Sequence, residues 1–192
     1  FDVIFINGCD YSVPHPIRYR VDHQIEELEA AVLTVQKVNA WEMEEDILRH
    51  ARTFIIFRCL LSDEVESLIR QAKKLNKRVI YDIDDLVIDT AYTDSIPFVD
   101  AMTAHDKSCY DDGVRRMGET LKLCDCAITT TEGMAEELKK YVPRVYINRN
   151  VASESMIDYS NIAIYRRDVL PSLQSSSVLP EDRVPYKRAV ER

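Results

Sequence analysis

Six short apolar runs, separated by stretches of helical spacing, constrain this chain more than any other feature. Residues 1–6, 33–38, 53–59, 78–83, 126–130 and 145–148 are rich in β-branched and aromatic side chains. Continuous apolar runs of that length suit strands buried on both faces. Between the first two, Val21, Ile25, Leu28 and Ala31 recur at helical intervals, with Glu26, Glu27 and Glu29 on the opposite side. The spacing predicts helices over residues 20–31, 41–52, 62–78, 103–122 and 134–141, with Ser62 as an N-cap and Lys73 and Lys74 at the helix end suiting its dipole. Strands that alternate with helices in this way predict an α/β fold, a doubly wound, mostly parallel, Rossmann-like sheet.

At 192 residues, the chain suits one domain plus an appendage, since a domain takes about 150 residues. The pattern predicts a domain over residues 1–152. Residues 153–192, with a Gln-Ser-Ser-Ser run and several prolines, read as a linker or tail, whose first half docks through Ile162, Ile164, Val169 and Leu170. Phe1 already lies in a strand-like run, so the chain is expected to be a fragment of a longer protein. No apolar run approaches the roughly 20 residues of a membrane span, and no signal-peptide pattern is present. A net charge of −8 argues against nucleic acid as a partner. Five cysteines, an odd number without a dense pattern, fit a reducing cytoplasm.

The candidate chemistry centres on residues 79–89, Val-Ile-Tyr-Asp-Ile-Asp-Asp-Leu-Val-Ile-Asp. Here a strand ends in Asp82, Asp84 and Asp85, at the edge where open α/β sheets bind ligands. Those carboxylates suit either a cleft or the capping of backbone N–H groups in the next turn. The loop over residues 7–20 carries Gly8, Cys9, His15, Arg18 and Arg20. Arg18 and Arg20 lead into a helix, where they suit phosphate or carboxylate, or simply pair with the glutamates that follow. No G-x-G-x-x-G or P-loop occurs, and only four glycines are present, which argues against a standard dinucleotide site. The four histidines show no ligand spacing, and Cys124 and Cys126 are too close together for a zinc pair, so no metal is expected.

These segments together resemble the N-terminal domain of family 4 glycosyltransferases, of the GT-B class, over residues 1–152. Arg18-Tyr19-Arg20-Val21 followed by Leu28 resembles the opening of the family's first helix. Residues 79–86 resemble a strand that usually ends in a His-Asp pair, whose counterparts here are Asp84 and Asp85. Residues 125–132, Asp-Cys-Ala-Ile-Thr-Thr-Thr-Glu, resemble the strand leading to a serine, here Thr131. Residues 148–151, Asn-Arg-Asn-Val, resemble the Pro-Asn-Gly-Val hinge before the second domain. The resemblance implies transfer of a sugar from a nucleotide-sugar donor to an acceptor glycan held by this domain, with no metal or other cofactor. It implies Asp84 and Asp85 as the catalytic carboxylates, and Gly8, Arg18, Arg20, Asp82, Thr131 and Glu132 as substrate-binding residues. It also implies a further C-terminal domain that binds the donor and carries paired glutamates. The basic residues Lys73, Lys74, Lys77 and Arg78 suit peripheral membrane contact.

Two rival readings remain open on sequence. Asp82-Ile83-Asp84 matches a metal-binding D-x-D, as in GT-A transferases or aspartate-nucleophile phosphatases. Alternatively, the chain is a non-catalytic α/β binding module, since fold alone proves no chemistry.

Overall fold

The computed structural model describes residues 1–12, 14–44 and 46–169, with side chains through residue 161. The chain divides into two units, residues 1–151 and 152–192. In the first, all-parallel strands β1 (Val3–Asn7), β2 (Val35–Asn39), β3 (Thr53–Phe57), β4 (Arg78–Asp82), β5 (Cys126–Thr129) and β6 (Val145–Ile147) form one sheet in the order β2-β1-β3-β4-β5-β6. The helices are α1 (Pro14–Ile17), α2 (His23–Ala30), α3 (Asp63–Lys74), α4 (Thr90–Thr93), α5 (Pro97–Asp100), α6 (Ala104–Leu123) and α7 (Glu132–Leu138); the second unit contributes α8 (Glu154–Val169). This is the α/β, doubly wound parallel fold that the alternation of runs predicts.

Alternation along the strands divides the core in two. Ile4, Ile6, Phe54, Ile56, Val79 and Tyr81 pack on one face, with Val65, Leu68 and Ile69 of α3, Leu121 of α6 and Leu138 of α7. Val3, Phe5, Ile55 and Phe57 point to the other face, against Ile17 and Val21. Covering both faces explains why the strands read as continuous apolar runs rather than as an alternating pattern. Ser62, Thr103 and Thr131 cap α3, α6 and α7 by accepting the backbone N–H groups of Val65, Asp106 and Met134, each cap contributing about 1 kcal/mol.

The register sets the position of the site. Asn39, Asn7, Phe57 and Asp82 are successive partners across β2, β1, β3 and β4, and Asp82 in turn faces Ile128 of β5. The strands therefore end level, and the loops that follow them share one edge.

Three expectations are corrected. The helix expected over residues 41–52 is instead two short 3-10 turns, Ala40–Glu42 and Ile47–Arg49. Among the described residues there, Ile47, Leu48 and Ala51 are buried and Met43 packs partly against them while Trp41 stays exposed, so no apolar stripe runs through three turns. The first helical segment starts at Pro14, not at residue 20; prolines suit a first helical turn, where their missing N–H groups have no intrahelical partner. Residues 154–169, in the expected linker or tail, form a helix where no regular element was expected. The expected mobile stretch over residues 171–185 and the docking of Ile162, Ile164, Val169 and Leu170 lie outside the described residues and side chains.

At the end of α3 the lysines turn to the protein. Lys73 pairs with Asp125 at 3.2 Å, and Lys77 donates to the carbonyls of Leu48 and Ala51. Two of the four residues of the expected basic patch are thus engaged within the fold. Among the described residues, no helix is long and apolar enough to cross a membrane.

Candidate functional site

Two arginine–carboxylate clusters occupy the carboxyl edge of the sheet, both built on the end of β4. Asp82, the last residue of β4, is fully buried. Arg20 reaches it from a π-helical turn, Arg18–Asp22, inserted between α1 and α2. The widened turn carries Arg20 and Val21 into the interior. Arg20 Nε and Nη2 donate to Asp82 Oδ1 and Oδ2, each at 2.8 Å, and Gln24 Nε2 adds a third bond to Oδ2 at 2.9 Å. The remaining nitrogen, Nη1, donates to the Asn148 carbonyl at 2.6 Å and to Asn150 Oδ1 at 3.1 Å. Burial pushes the Asp82 carboxyl above its ordinary value, against the pull of the Arg20 fork and of Gln24. The cluster ties β4, the first helical segment and the strand exit after β6 into one piece. His23 Nδ1 adds a 3.0 Å contact to the Val151 carbonyl.

Two residues beyond Asp82 the chain reaches the rim. Arg58 follows β3 with φ = 47°, a left-handed conformation that costs a side-chain-bearing residue about 1 kcal/mol. Its Nε donates to Asp84 Oδ1 at 2.8 Å, and its Nη2 pairs with Asp84 Oδ1 at 2.6 Å and with Asp85 Oδ2. Its guanidinium lies 5.8 Å from the centroid of the Phe57 ring. Burial draws the Arg58 pKa down, but the charges and hydrogen bonds of Asp84 and Asp85 outweigh it and hold the guanidinium above its ordinary value. The Asp84 side chain is 15% exposed and that of Asp85 63%. Among the described residues the hydrogen bonds to Asp84 go to Oδ1, which leaves Oδ2 as an acceptor for a hydroxyl.

Within the acidic motif, the backbone cap comes from Asp89, which accepts the Ala91 N–H of α4 at 3.0 Å, and the other three carboxylates, Asp82, Asp84 and Asp85, face arginine side chains. Asp82 and Asp84 also face different guanidiniums, one inside and one at the rim. Among the described residues no group of three or more His, Cys, Asp or Glu side chains is arranged to hold a metal ion.

The other sequence candidates take varied places. Gly8 faces backbone: a Cβ there would lie 2.5 Å from Cys59 Cα and 2.6 Å from the Arg58 carbonyl oxygen. Its small size serves the close approach of the β1 and β3 loops. Arg20 is spent on Asp82 and is not free at a helix N-terminus. Arg18 is exposed at the start of the π turn. Thr131 caps α7, and Glu132 pairs with Arg149 at the end of β5, outside both clusters. Cys9 lies beside the rim, where burial pushes its thiol up to about 11; Asp84, Asp10 and Asp85 add to the shift and Arg58 opposes it. Tyr110 of α6 is raised by burial and then by Asp85.

Sequence reasoning missed Arg58 and Gln24. Arg58 was detectable: it is the first charged residue after an apolar strand, the same signal that exposed Asp82. Gln24 gave none, because a glutamine on a helix is ordinary until a buried carboxylate is found beside it. In comparisons with protein-family models, curated proteins and solved structures, the chain matches none.

Proposed function

We propose that residues 1–151 form the acceptor-side domain of a GT-B glycosyltransferase, moving a sugar from a nucleotide-sugar donor to a glycan or related acceptor. The observation that carries the reading is the rim pair, Asp84 and Asp85, held by Arg58 at the carboxyl edge of a parallel sheet. A carboxylate oxygen fixed at the ligand-binding edge can accept a hydrogen bond from an acceptor hydroxyl and orient it for attack, and orientation of that kind is a large part of bimolecular catalysis. Asp82 belongs to the support beneath it.

A second observation supports the assignment to the acceptor side. In sheets of this strand order a mononucleotide binds at the switch point between β1 and β3. Here Gly8 closes that crevice against the backbone of Arg58 and Cys59. A nucleotide donor would therefore be held by another domain, as the resemblance implies.

The test is glycosyl transfer by the protein that carries this sequence, with and without EDTA, beside an Asp84→Asn variant. Activity that survives EDTA and falls about 100-fold or more in the variant supports the reading. Loss with EDTA favours a metal-dependent D-x-D enzyme, and no transfer from any nucleotide sugar favours the binding module.

A further inference from the structure

On the same edge, two strands away from β3, an exposed aromatic pair stands beside an ordered polar network. Tyr11 follows β1 and Trp41 follows β2; their ring centroids are 6.5 Å apart and their planes 88° apart. Both are more than half exposed, at 53% and 56%, and neither belongs to either core cluster. Single exposed aromatics are common, but here one of the two rings is anchored and the other packs edge-on against it. The Tyr11 hydroxyl donates to Asn39 Oδ1 at 3.1 Å, Asn7 Nδ2 donates to the same oxygen at 3.0 Å, and Asn39 Nδ2 donates to Glu42 Oε2 at 2.7 Å. Asn7 is itself fixed to the Cys9 backbone by bonds of 3.0 and 3.1 Å. Buried amides thus hold one of two rings that the core does not use.

We propose that Tyr11 and Trp41 form a stacking platform for a neutral pyranose of the acceptor, with the exposed Glu42 carboxylate, which Asn39 holds in place, accepting from its hydroxyls; this rests on the transferase reading above. A pyranose offers an apolar C–H face and a rim of hydroxyls, and a ring beside a fixed carboxylate matches both. Pre-positioned aromatic side chains lose little conformational freedom on binding. Charge selects the sugar over the nucleotide. Asp10, Glu42, Glu44 and Asp46 flank the two rings in sequence, in a chain of net charge −8, and this acidic setting repels phosphate. From Asn39 to Asp82 is three strand spacings, about 14 Å, so an acceptor reaching from the platform to Asp84 is a short oligosaccharide rather than a single sugar.

Trp41 is the only tryptophan in the chain, so its fluorescence reports on the platform directly. The 192-residue chain is titrated with glucose, maltotriose, cellotriose, chitotriose and UDP, and affinities are repeated by calorimetry in Trp41→Ala and Trp41→Phe. The expected result is a saturable fluorescence change with at least one trisaccharide, weaker with glucose and none with UDP. Affinity should fall about tenfold or more in Trp41→Ala and stay within about threefold in Trp41→Phe. Equal affinity in Trp41→Ala, a response to UDP alone, or silence across all five ligands overturns the proposal. The two readings fail separately. Transfer with an acceptor KM unchanged by Trp41→Ala removes the platform and leaves the transferase; Trp41-dependent saccharide binding without transfer removes the transferase and leaves the platform.

Discussion

The two clusters at the end of β4 use the same chemistry, an arginine on carboxylate, in opposite surroundings. Arg20 and Asp82 are both 0% exposed and each nitrogen of the fork has an acceptor. Arg58, Asp84 and Asp85 sit at the rim, on a strained backbone and partly in water. The difference separates architecture from chemistry. A buried pair must remain intact because either partner alone is an uncompensated charge in a low-dielectric interior. At the rim, the pair with Asp85, 63% exposed, contributes little to stability, and its carboxylate remains accessible to a ligand.

The comparison is broken most severely from inside. Arg20→Met leaves Asp82 buried without its counter-ion and should cost about 3–5 kcal/mol in urea unfolding. The double variant Arg20→Met with Asp82→Leu should recover most of that loss, since it removes both charges together. If the single and double variants are equally unstable, the pair is not what holds the strand end and the first helical segment together.

A smaller effect, about 1–3 kcal/mol, is expected of Gly8→Ala, because the added methyl meets the Cys59 backbone at 2.5 Å. It should displace the β3 loop and with it Arg58, and so weaken any ligand bound at the rim, while leaving the Arg20 cluster in place. Chemical-shift perturbation confined to the β1 and β3 loops would show that separation; changes spread through α2 would contradict it.

Smaller again is the stability effect of Arg58→Gly. Relief of the positive φ, about 1 kcal/mol, offsets much of the loss of the two ion pairs, so the free energy of unfolding should move by no more than about 1 kcal/mol. Transfer or saccharide binding should nevertheless fall strongly. Added salt should weaken the rim and not the interior, since screening acts on exposed charge.

The last expected effect concerns Cys9. With its thiol at about 11, against an ordinary value of 9.0, alkylation near pH 8 should proceed from only about a thousandth of the population and should rise with pH through about 11. Removing Arg58, which lowers this pKa, should slow alkylation further at any fixed pH. The linked stability has a definite sign. A folded-state pKa above the unfolded one favours folding below about pH 9, and that contribution is lost as pH rises through about 11. Peptide mapping after iodoacetamide treatment, with exposed Cys109 as the internal reference, measures the first effect; unfolding curves of wild type and Cys9→Ser across that window measure the second.

Much of the fold was legible because strand burial leaves a local record. Phe54, Ile55, Ile56 and Phe57 are all apolar because helices cover both faces, and Ser62 announces α3 because the orphan N–H groups of a helix need an acceptor nearby in sequence. The 41–52 segment was misread for the complementary reason. Its helical spacing was real, but the choice between one helix and two short turns depends on which side chains the sheet accepts. The candidate site was legible only in part. Asp82, Asp84 and Asp85 stood out as charges ending an apolar strand, yet nothing local distinguished an interior aspartate from a rim one.

By itself, the sequence determined the elements that depend on neighbours in the chain: six apolar runs, their capped helices, and carboxylates gathered at one strand end. Tertiary structure alone decided the rest. Arg20 and Asp82 are 62 positions apart, Arg58 and Asp84 are 26 apart, and Tyr11 and Asn39 are 28 apart. A charge at a strand end takes its role from the partner that the sheet order and register bring beside it, and from how much water that packing leaves. Those are properties of the folded sheet, and no local pattern encodes them.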